Sequence, residues 1–364
     1  MTTIIDVARR AGVSPVTVSR VMNRAPNVNP ETRARVEQAI AELGYLPSTV
    51  ARSLRSKRTR SLALLLPDIT NTFWTTVARG VEDTAQTFGY AVFVCNTDED
   101  CQKQQRYLEL AVSQRADGVL IAPCHNDAAA LRVLRERGVP TVTVDRRIEG
   151  WNVDAVLGDS TGGARALVQH LIALGHRRIA VISGPATTST AEDRVTGYRE
   201  ALVQAGMPVD DNLIRRGQFK AGAGEELARS LLAAGNCPSA IFAANNAIAL
   251  GAIDAILAGG RRIPQDVALV AFDDFADASH LFPFLTVAVQ PAYEMGCAAA
   301  RLLLERLAGA GPVQPAHIVL PCRLIVRHSC GSRLRAGGET LSLPLTVEVS
   351  EVEGSKVEGL KVDG

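Results

Sequence analysis

Aromatic residues are scarce in this chain: only 4% of its 364 residues are Phe, Trp or Tyr, although 47% are hydrophobic. A core of that kind is built from Ala, Val, Leu and Ile, the usual filling of α/β layers, and the length suits two or three domains. No uninterrupted apolar run approaches the roughly 20 residues of a membrane span, so no membrane partner is expected. The start, Met1-Thr2-Thr3-Ile4-Ile5-Asp6, lacks the basic and then apolar pattern of a secretory signal, and a cytoplasmic location is expected. The seven cysteines (Cys95, Cys101, Cys124, Cys237, Cys297, Cys322, Cys330) include no CxxC pair and suit reduced thiols. The six histidines (His125, His170, His176, His280, His317, His328) form no ligand-spaced group. A nucleophile elbow, a zinc spacing and a paired basic phosphate clamp are also missing. No metal, no cofactor and no catalytic residue is therefore assigned. The glycine-rich phosphate fingerprint is absent as well. Gly162-Gly163 sits at a helix start, where close packing is the simpler purpose.

What the chain has instead is an uneven charge. Residues 1–60 hold eleven Lys/Arg against four Asp/Glu, a net +7, which leaves −6 for residues 61–364 of a chain that totals +1. A small polyanion-binding head on a mildly acidic body is the natural reading. Ala8 to Val21 reads A-R-R-A-G-V-S-P-V-T-V-S-R-V, a helix-turn-helix pattern. Thr3 with Asp6 predicts a capping box, and Gly12 ends the first helix. Ser14 then caps a second helix with Pro15 at its first position. Val18 and Val21 turn inward, leaving Val16, Thr17, Ser19, Arg20 and Asn23 outside. A third helix from Asn29-Pro30-Glu31 to about Leu43 adds Val36, Ile40 and Leu43 to the little core, and Gly44 terminates it.

In this geometry the second helix enters the major groove of double-stranded DNA. Arg20 could donate two hydrogen bonds to a guanine edge, while Thr17 or Val16 meets a thymine methyl or a phosphate. A basic three-helix domain that binds protein or RNA is the alternative. Residues 45–60, Y-L-P-S-T-V-A-R-S-L-R-S-K-R-T-R, follow Pro47 with an apolar edge of Val50, Ala51 and Leu54. Arg52, Arg55, Lys57, Arg58 and Arg60 surround that edge. Phosphates would order such a segment as a hinge helix, and paired Leu54 side chains could wedge a minor-groove step. A plain linker is the alternative there.

From Ser61 short apolar strands alternate with longer helical segments, which predicts doubly wound parallel sheets in two similar lobes. Strands are expected at 62–66, 90–95, 118–122, 140–144 and 155–158, then at 179–183, 213–217, 239–243 and 267–271. Helices are expected at 73–88, 101–115 and 127–137, then at 161–174, 192–206, 221–234 and 246–258. A last helix near 291–308 and strands near 317–320 and 323–327 would return to the first lobe, with crossovers near Ser160 and Val289. The expected divisions are a helix-turn-helix head at 1–46 and a hinge and linker at 47–60. The first lobe spans 61–160 and 290–329, the second 161–289, and a weakly ordered tail 330–364. In that tail Leu341, Leu343, Leu345 and Val347 alternate at strand period.

Ligands bind such sheets at the carboxyl ends of the strands. Asn71, Phe73 and Trp74 follow the first strand, and an aromatic pair there suits the C–H face of a sugar ring or plain core. Asp145-Arg146-Arg147 follow the fourth strand and could take adjacent hydroxyls bidentately. Arg194, Asn245, Asp273 and Gln290 complete the ring, with a surface salt bridge as the other reading of Arg194. Balanced charges among many hydrogen-bonding groups suit a small neutral polyol better than catalysis.

The motifs I-I-D-V-A-R-R-A-G-V-S-P-V-T-V-S-R-V-M-N and Y-L-P-S-T-V-A-R-S-L, with V-D-R-R, G-H-R-R-I-A-V-I-S-G-P, R-V-T-G-Y-R-E-A-L, N-N-A-I-A-L-G, A-F-D-D and V-Q-P, carry a resemblance over about residues 3–329. The chain resembles bacterial transcriptional regulators of the lactose/purine-repressor (LacI/GalR) family. The resemblance implies a homodimer on a near-palindromic operator, with Ser14, Pro15, Val16, Thr17, Ser19, Arg20, Asn23, Ala51, Leu54 and Arg55 at the DNA and Leu54 intercalating. It implies an α/β periplasmic-binding-protein-like core, closest to the ribose-binding branch at Asn71, Phe73, Trp74, Asp145, Arg146, Arg194, Asn245, Asp273 and Gln290. It also adds Phe219 as a ring-stacking residue. Thr72 stands where that branch commonly has proline, and Trp74 replaces a frequent phenylalanine. The implied function is a repressor released from its operator by a monosaccharide such as ribose. A purine-responsive corepressor mode, a coregulator protein and a sugar-metabolising enzyme with a fused head are the alternatives.

Overall fold

The computed structural model describes residues 2–23, 25–45, 58–275 and 284–332. Its amino-terminal end folds as three helices, α1 (Ile4–Ala11), α2 (Pro15–Met22) and α3 (Pro30–Leu43). Each begins where a side chain satisfies free N–H groups of the first turn. Thr3 Oγ1 accepts from the Asp6 N–H while the Asp6 carboxylate accepts from the Thr3 N–H at 2.9 Å, the reciprocal capping box. Ser14 caps α2 and Asn29 caps α3, each followed by a proline whose missing N–H costs nothing there. Gly12 and Gly44 end α1 and α3 in the left-handed region, at φ of 64° and 55°. Val7, Ala8, Ala11, Val18, Val21, Val36 and Ala39 bury together, with Ile40 and Leu43 at the margin. The expected hinge helix, with Ala51, Leu54 and Arg55, lies outside the described residues, as does the tail from 333.

The body holds two six-stranded sheets. The first lobe runs β1 (Ser61–Leu66), α4 (Thr72–Thr87), β2 (Ala91–Asn96), α5 (Cys101–Ser113), β3 (Gly118–Ile121), α6 (Arg132–Arg137), β4 (Thr141–Val144) and β5 (Asp154–Gly158). The chain then passes to the second lobe. There it forms α7 (Ser160–Ala173), β6 (Ile179–Ser183), α8 (Ser189–Gln204), β7 (Ile214–Arg216), α9 (Ala221–Ala233), β8 (Ala240–Ala243), α10 (Asn246–Ala258), β9 (Ala268–Phe272) and β10 (Thr286–Val289). It ends with α11 (Ala292–Ala308), β11 (His317–Leu320) and β12 (Arg323–Ile325). The strand orders are β11-β5-β4-β3-β1-β2 and β12-β10-β9-β8-β6-β7. Every pairing is parallel except that of β12 with β10. Leu62 to Leu66 are all fully buried, as expected of a central parallel strand covered on both faces.

Four expectations are corrected. The 323–327 strand does not return to the first lobe: β12 pairs antiparallel with β10, with Val287 opposite Ile325. A third crossover therefore follows β11. Strand β10 itself was unexpected, because a four-residue segment running into Gln290-Pro291 reads as connection until β9 is seen beside it. The predicted 127–137 helix is a 3₁₀ turn at Ala128–Leu131 followed by α6. The reduced-thiol expectation also fails at one pair, since Cys101 and Cys124 form a disulfide. The first residue of α5 meets the loop after β3 with Cα atoms 5.7 Å apart, inside the usual range for a bridge. The remaining five cysteines are free thiols.

Candidate functional site

In each sheet the connections change direction beside the first strand of the lobe, and the loops leaving the carboxyl ends there meet across a cleft of roughly 500 Å³. Asn71, Phe73, Trp74, Asp145, Arg146, Arg194, Phe219, Asn245 and Asp273 all line it. Gln290 lines the adjoining cavity instead. It connects to the cleft through Asp273, whose carboxylate accepts from Gln290 Nε2 at 3.1 and 3.3 Å.

The two aspartates occupy matching places. Asp145 follows β4 and Asp273 follows β9, with φ of 65° and 63°, a left-handed conformation that Asp tolerates better than most residues. That turn swings each carboxylate off the end of its strand. Both side chains are buried. Burial pushes the Asp145 carboxyl above the usual range, although Arg194 and Arg146 pull the other way. Burial likewise pushes the Asp273 carboxyl up to about 6 against the pull of Arg194.

The two arginines differ. Arg146 is clamped by Glu99, Nη1 donating to Oε2 at 2.8 Å and Nη2 to Oε1 at 2.6 Å, and Nη1 also donates to the Pro123 carbonyl at 3.1 Å. Its guanidinium lies 5.8 Å from the ring centroids of both Trp74 and Phe219. Its Nε lacks a partner and Nη2 spends only one of its two N–H groups on Glu99, so this edge of Arg146 keeps donors for hydroxyls while Asp145 Oδ1 is open as an acceptor. Arg194 is buried, which removes the surface salt-bridge reading. It stacks 3.9 Å over Phe272 and donates from Nη1 to the Ala244 carbonyl at 2.7 Å, leaving Nε and Nη2 without hydrogen-bond partners. Asp145 Oδ1 and Gln290 Oε1 are likewise unpartnered. Buried polar atoms left open in this way at one place ask for a ligand with hydroxyls.

Two glycines make room. A β-carbon on Gly158 would lie 1.9 Å from Gln290 Oε1, and one on Gly184 would lie 2.3 Å from the Phe219 ring. Phe73 and Trp74 pack edge to face at 4.8 Å and belong to the first-lobe core while lining the cleft, so both readings of the pair hold together. Asn71 caps α4 through Phe73 N–H and exchanges two amide hydrogen bonds with Asn246 of the other lobe, at 2.8 and 3.0 Å. Asn245 caps α10 through Ile248 N–H. A second strap joins the lobes: Arg147 pairs bidentately with Asp193 at 2.6 and 2.7 Å. Sequence reasoning missed Glu99, Lys220 and Asn246. Glu99 was findable, since it follows β2 on the same carboxyl-end rim, in T-D-E-D.

On the head, Ser14, Pro15, Val16, Arg20 and Asn23 are exposed and Thr17 and Ser19 half-buried, so one face of α2 is open. Val16 is 61% exposed. No helix among the described residues is long and apolar enough to cross a membrane.

Residues 3–48 match the family model of bacterial regulatory proteins, lacI family, and residues 59–328 match that of periplasmic binding proteins and the sugar-binding domain of the LacI family. The chain belongs to the lacI family. This lacI-family chain is 36% identical to a ribose operon repressor of Halalkalibacterium halodurans over 329 residues, 90% of the chain and 97% of the relative. Among solved structures it is similar to a transcriptional regulator CelR–cellobiose complex, with 36% identity, TM-score 0.69, and 90% and 100% of the two chains covered. It is also similar to the Lac repressor dimer bound to operator and the anti-inducer ONPF, with 29% identity, TM-score 0.80, and coverage of 90% and 99%. As a lacI-family member it is a DNA-binding transcriptional regulator and not an enzyme.

Proposed function

We propose that this regulator is a cytoplasmic homodimeric repressor that leaves its operator when a small neutral sugar, ribose or a related monosaccharide, fills the cleft. The observation that carries the reading is the set of open groups at one place. Asp145 Oδ1 is an acceptor and Arg146 Nε and Arg194 Nε and Nη2 are donors, beside rings of Trp74 and Phe219. Glu99 offsets Arg146, and Asp273 lies 3.9 Å from Arg194, so the donors act without a large surplus charge. A polyol satisfies such a set and an anion does not. The names of the ribose and cellobiose relatives point the same way.

At the DNA, Arg20, Thr17, Val16, Ser14, Pro15, Ser19 and Asn23 meet base edges and phosphates of the major groove. Ala51, Leu54 and Arg55 act in the minor groove as paired hinge segments of a dimer. Because Asn71–Asn246 and Arg147–Asp193 join the lobes, ligand in the cleft biases how the lobes sit, and by linkage effector and operator weaken each other. The three rings at the cleft would also hold a purine, in which case ligand could strengthen DNA binding. Operator affinity measured by fluorescence anisotropy with and without saturating D-ribose tests the proposal. A drop of tenfold or more is expected. Unchanged affinity with every monosaccharide tried, or tighter binding with a purine, would replace it.

A further inference from the structure

We propose that Cys101 and Cys124 form a reversible thiol–disulfide site whose state sets how firmly the cleft grips its sugar. The inference rests on the sugar-cleft reading and adds a control to it. The bridge joins the first residue of α5 to the loop after β3. Both joined segments hold Arg146. Glu99, two residues before Cys101, takes both Nη atoms, and the carbonyl of Pro123, just before Cys124, takes Nη1. The same two segments meet again where the Cys124 N–H donates to Gln104 Oε1 at 2.8 Å. Two residues past Cys124, Asn126 N–H donates to the Thr187 carbonyl of the other lobe at 2.9 Å, so the stapled loop also reaches across the cleft. With the bridge made, the acceptors that orient Arg146 between Trp74 and Phe219 are tied to one another. With it broken, each is held by its own loop.

The chemistry suits exchange. Disulfides in reducing compartments are mostly transient or regulatory. Cys101 is partly exposed and sits in the first turn of a 13-residue helix, where the N-terminal end favours a thiolate. Cys124 is only 5% exposed, so an incoming thiolate attacks the Cys101 sulfur and Cys124 leaves. In the oxidising direction the two thiols lose two protons and two electrons to a low-molecular-weight disulfide, which departs as two thiols. His125 brings a ring nitrogen within 4.8 Å of both sulfurs, a base beside the pair.

The test uses the full chain equilibrated in glutathione buffers of graded ratio with EDTA present. Alkylation and intact mass read the bridge, and calorimetry with D-ribose reads the cleft. Expected are one bridge lost on reduction and a Kd for ribose at least threefold weaker. Cys101→Ser and Cys124→Ser should each match the reduced protein and ignore the buffer. Free thiols in every buffer would overturn the proposal, as would equal Kd values in the two forms. Zinc retained at one equivalent by the reduced chain before chelation would mean a metal site, and overturns it too. If ribose binds neither form, the sugar reading falls, and amide hydrogen exchange over residues 97–105 and 122–127 decides the coupling: equal protection in both forms sinks it.

Discussion

At the end of β4 in the first lobe and of β9 in the second, an aspartate turns into a left-handed conformation and its N–H reaches the next strand. Asp145 N–H donates to Val156 and Asp273 N–H to Ala288, each at 2.8 Å. Around this shared device the lobes differ. In the first, Arg146 is neutralised by a carboxylate of its own lobe and pinned between rings. In the second, Arg194 keeps two open donor atoms and only a distant carboxylate. Both lobes keep open groups, Asp145 Oδ1 and Arg146 Nε in the first and Arg194 Nε and Nη2 in the second, but only the first lobe's arginine is clamped by a bidentate carboxylate.

The sharpest way to break this contrast is Arg194→Ala. It removes the open donors and leaves Asp273 buried without its cation, so ribose affinity by calorimetry should fall 100-fold or more. The protein should also melt several degrees lower unless Asp273 takes up a proton. Glu99→Gln, its first-lobe counterpart, frees Arg146 from its clamp; ribose should bind roughly tenfold more weakly while a sugar acid gains. If the two variants behave alike, the lobes do not divide the work.

Next in size are the glycines. Gly184→Ala pushes against the Phe219 ring and Gly158→Ala against the end of Gln290, so each should destabilise by about 1–3 kcal/mol in urea titration. The Gly158 change should be the milder, because a side-chain amide yields more readily than a packed ring.

Asp273 supplies a pH test. Its carboxyl is raised from 3.8 to about 6 in the fold, so from pH 4 to 6 the native chain holds a proton that the unfolded chain has released. The contribution to stability is fully present below pH 4 and is lost as pH rises through 6, by about 3 kcal/mol. Burial raises the Asp145 carboxyl in the same direction. Asp273→Asn should flatten the stability profile there. Ribose affinity should climb several-fold between pH 5 and 7 as the Asp273 carboxyl ionises.

The smallest effect expected is that of Arg147→Ala, whose strap to Asp193 is half open to water. Surface pairs of this kind are worth about 0–1 kcal/mol, so a roughly fivefold change in ribose Kd is the ceiling.

The head was legible nearly residue by residue because its signals are local: Thr3 with Asp6, Ser14-Pro15 and Asn29-Pro30 act within one helical turn. The strands of both lobes other than β10 were legible from apolar runs, and the rim residues from their places after those runs. What escaped was any feature set by a partner far along the chain. Glu99 holds Arg146 across 47 residues, Asn246 answers Asn71 across 175, and Cys101 meets Cys124 from another loop. Strand β12 was placed in the wrong lobe because three residues, Arg323-Leu324-Ile325, carry no mark of the sheet they will join.

Short-range chemistry in the chain therefore determined where helices start and stop, which segments are strands, and that a basic reading head precedes a two-lobed receptor. Only the tertiary structure decided which arginine is neutralised and which is left open, which cysteines meet, and which lobe receives the final strand. The reason is that caps and periodicity act over a few residues of backbone, whereas the balance of buried charge depends on which loops the folded sheets bring to the same rim.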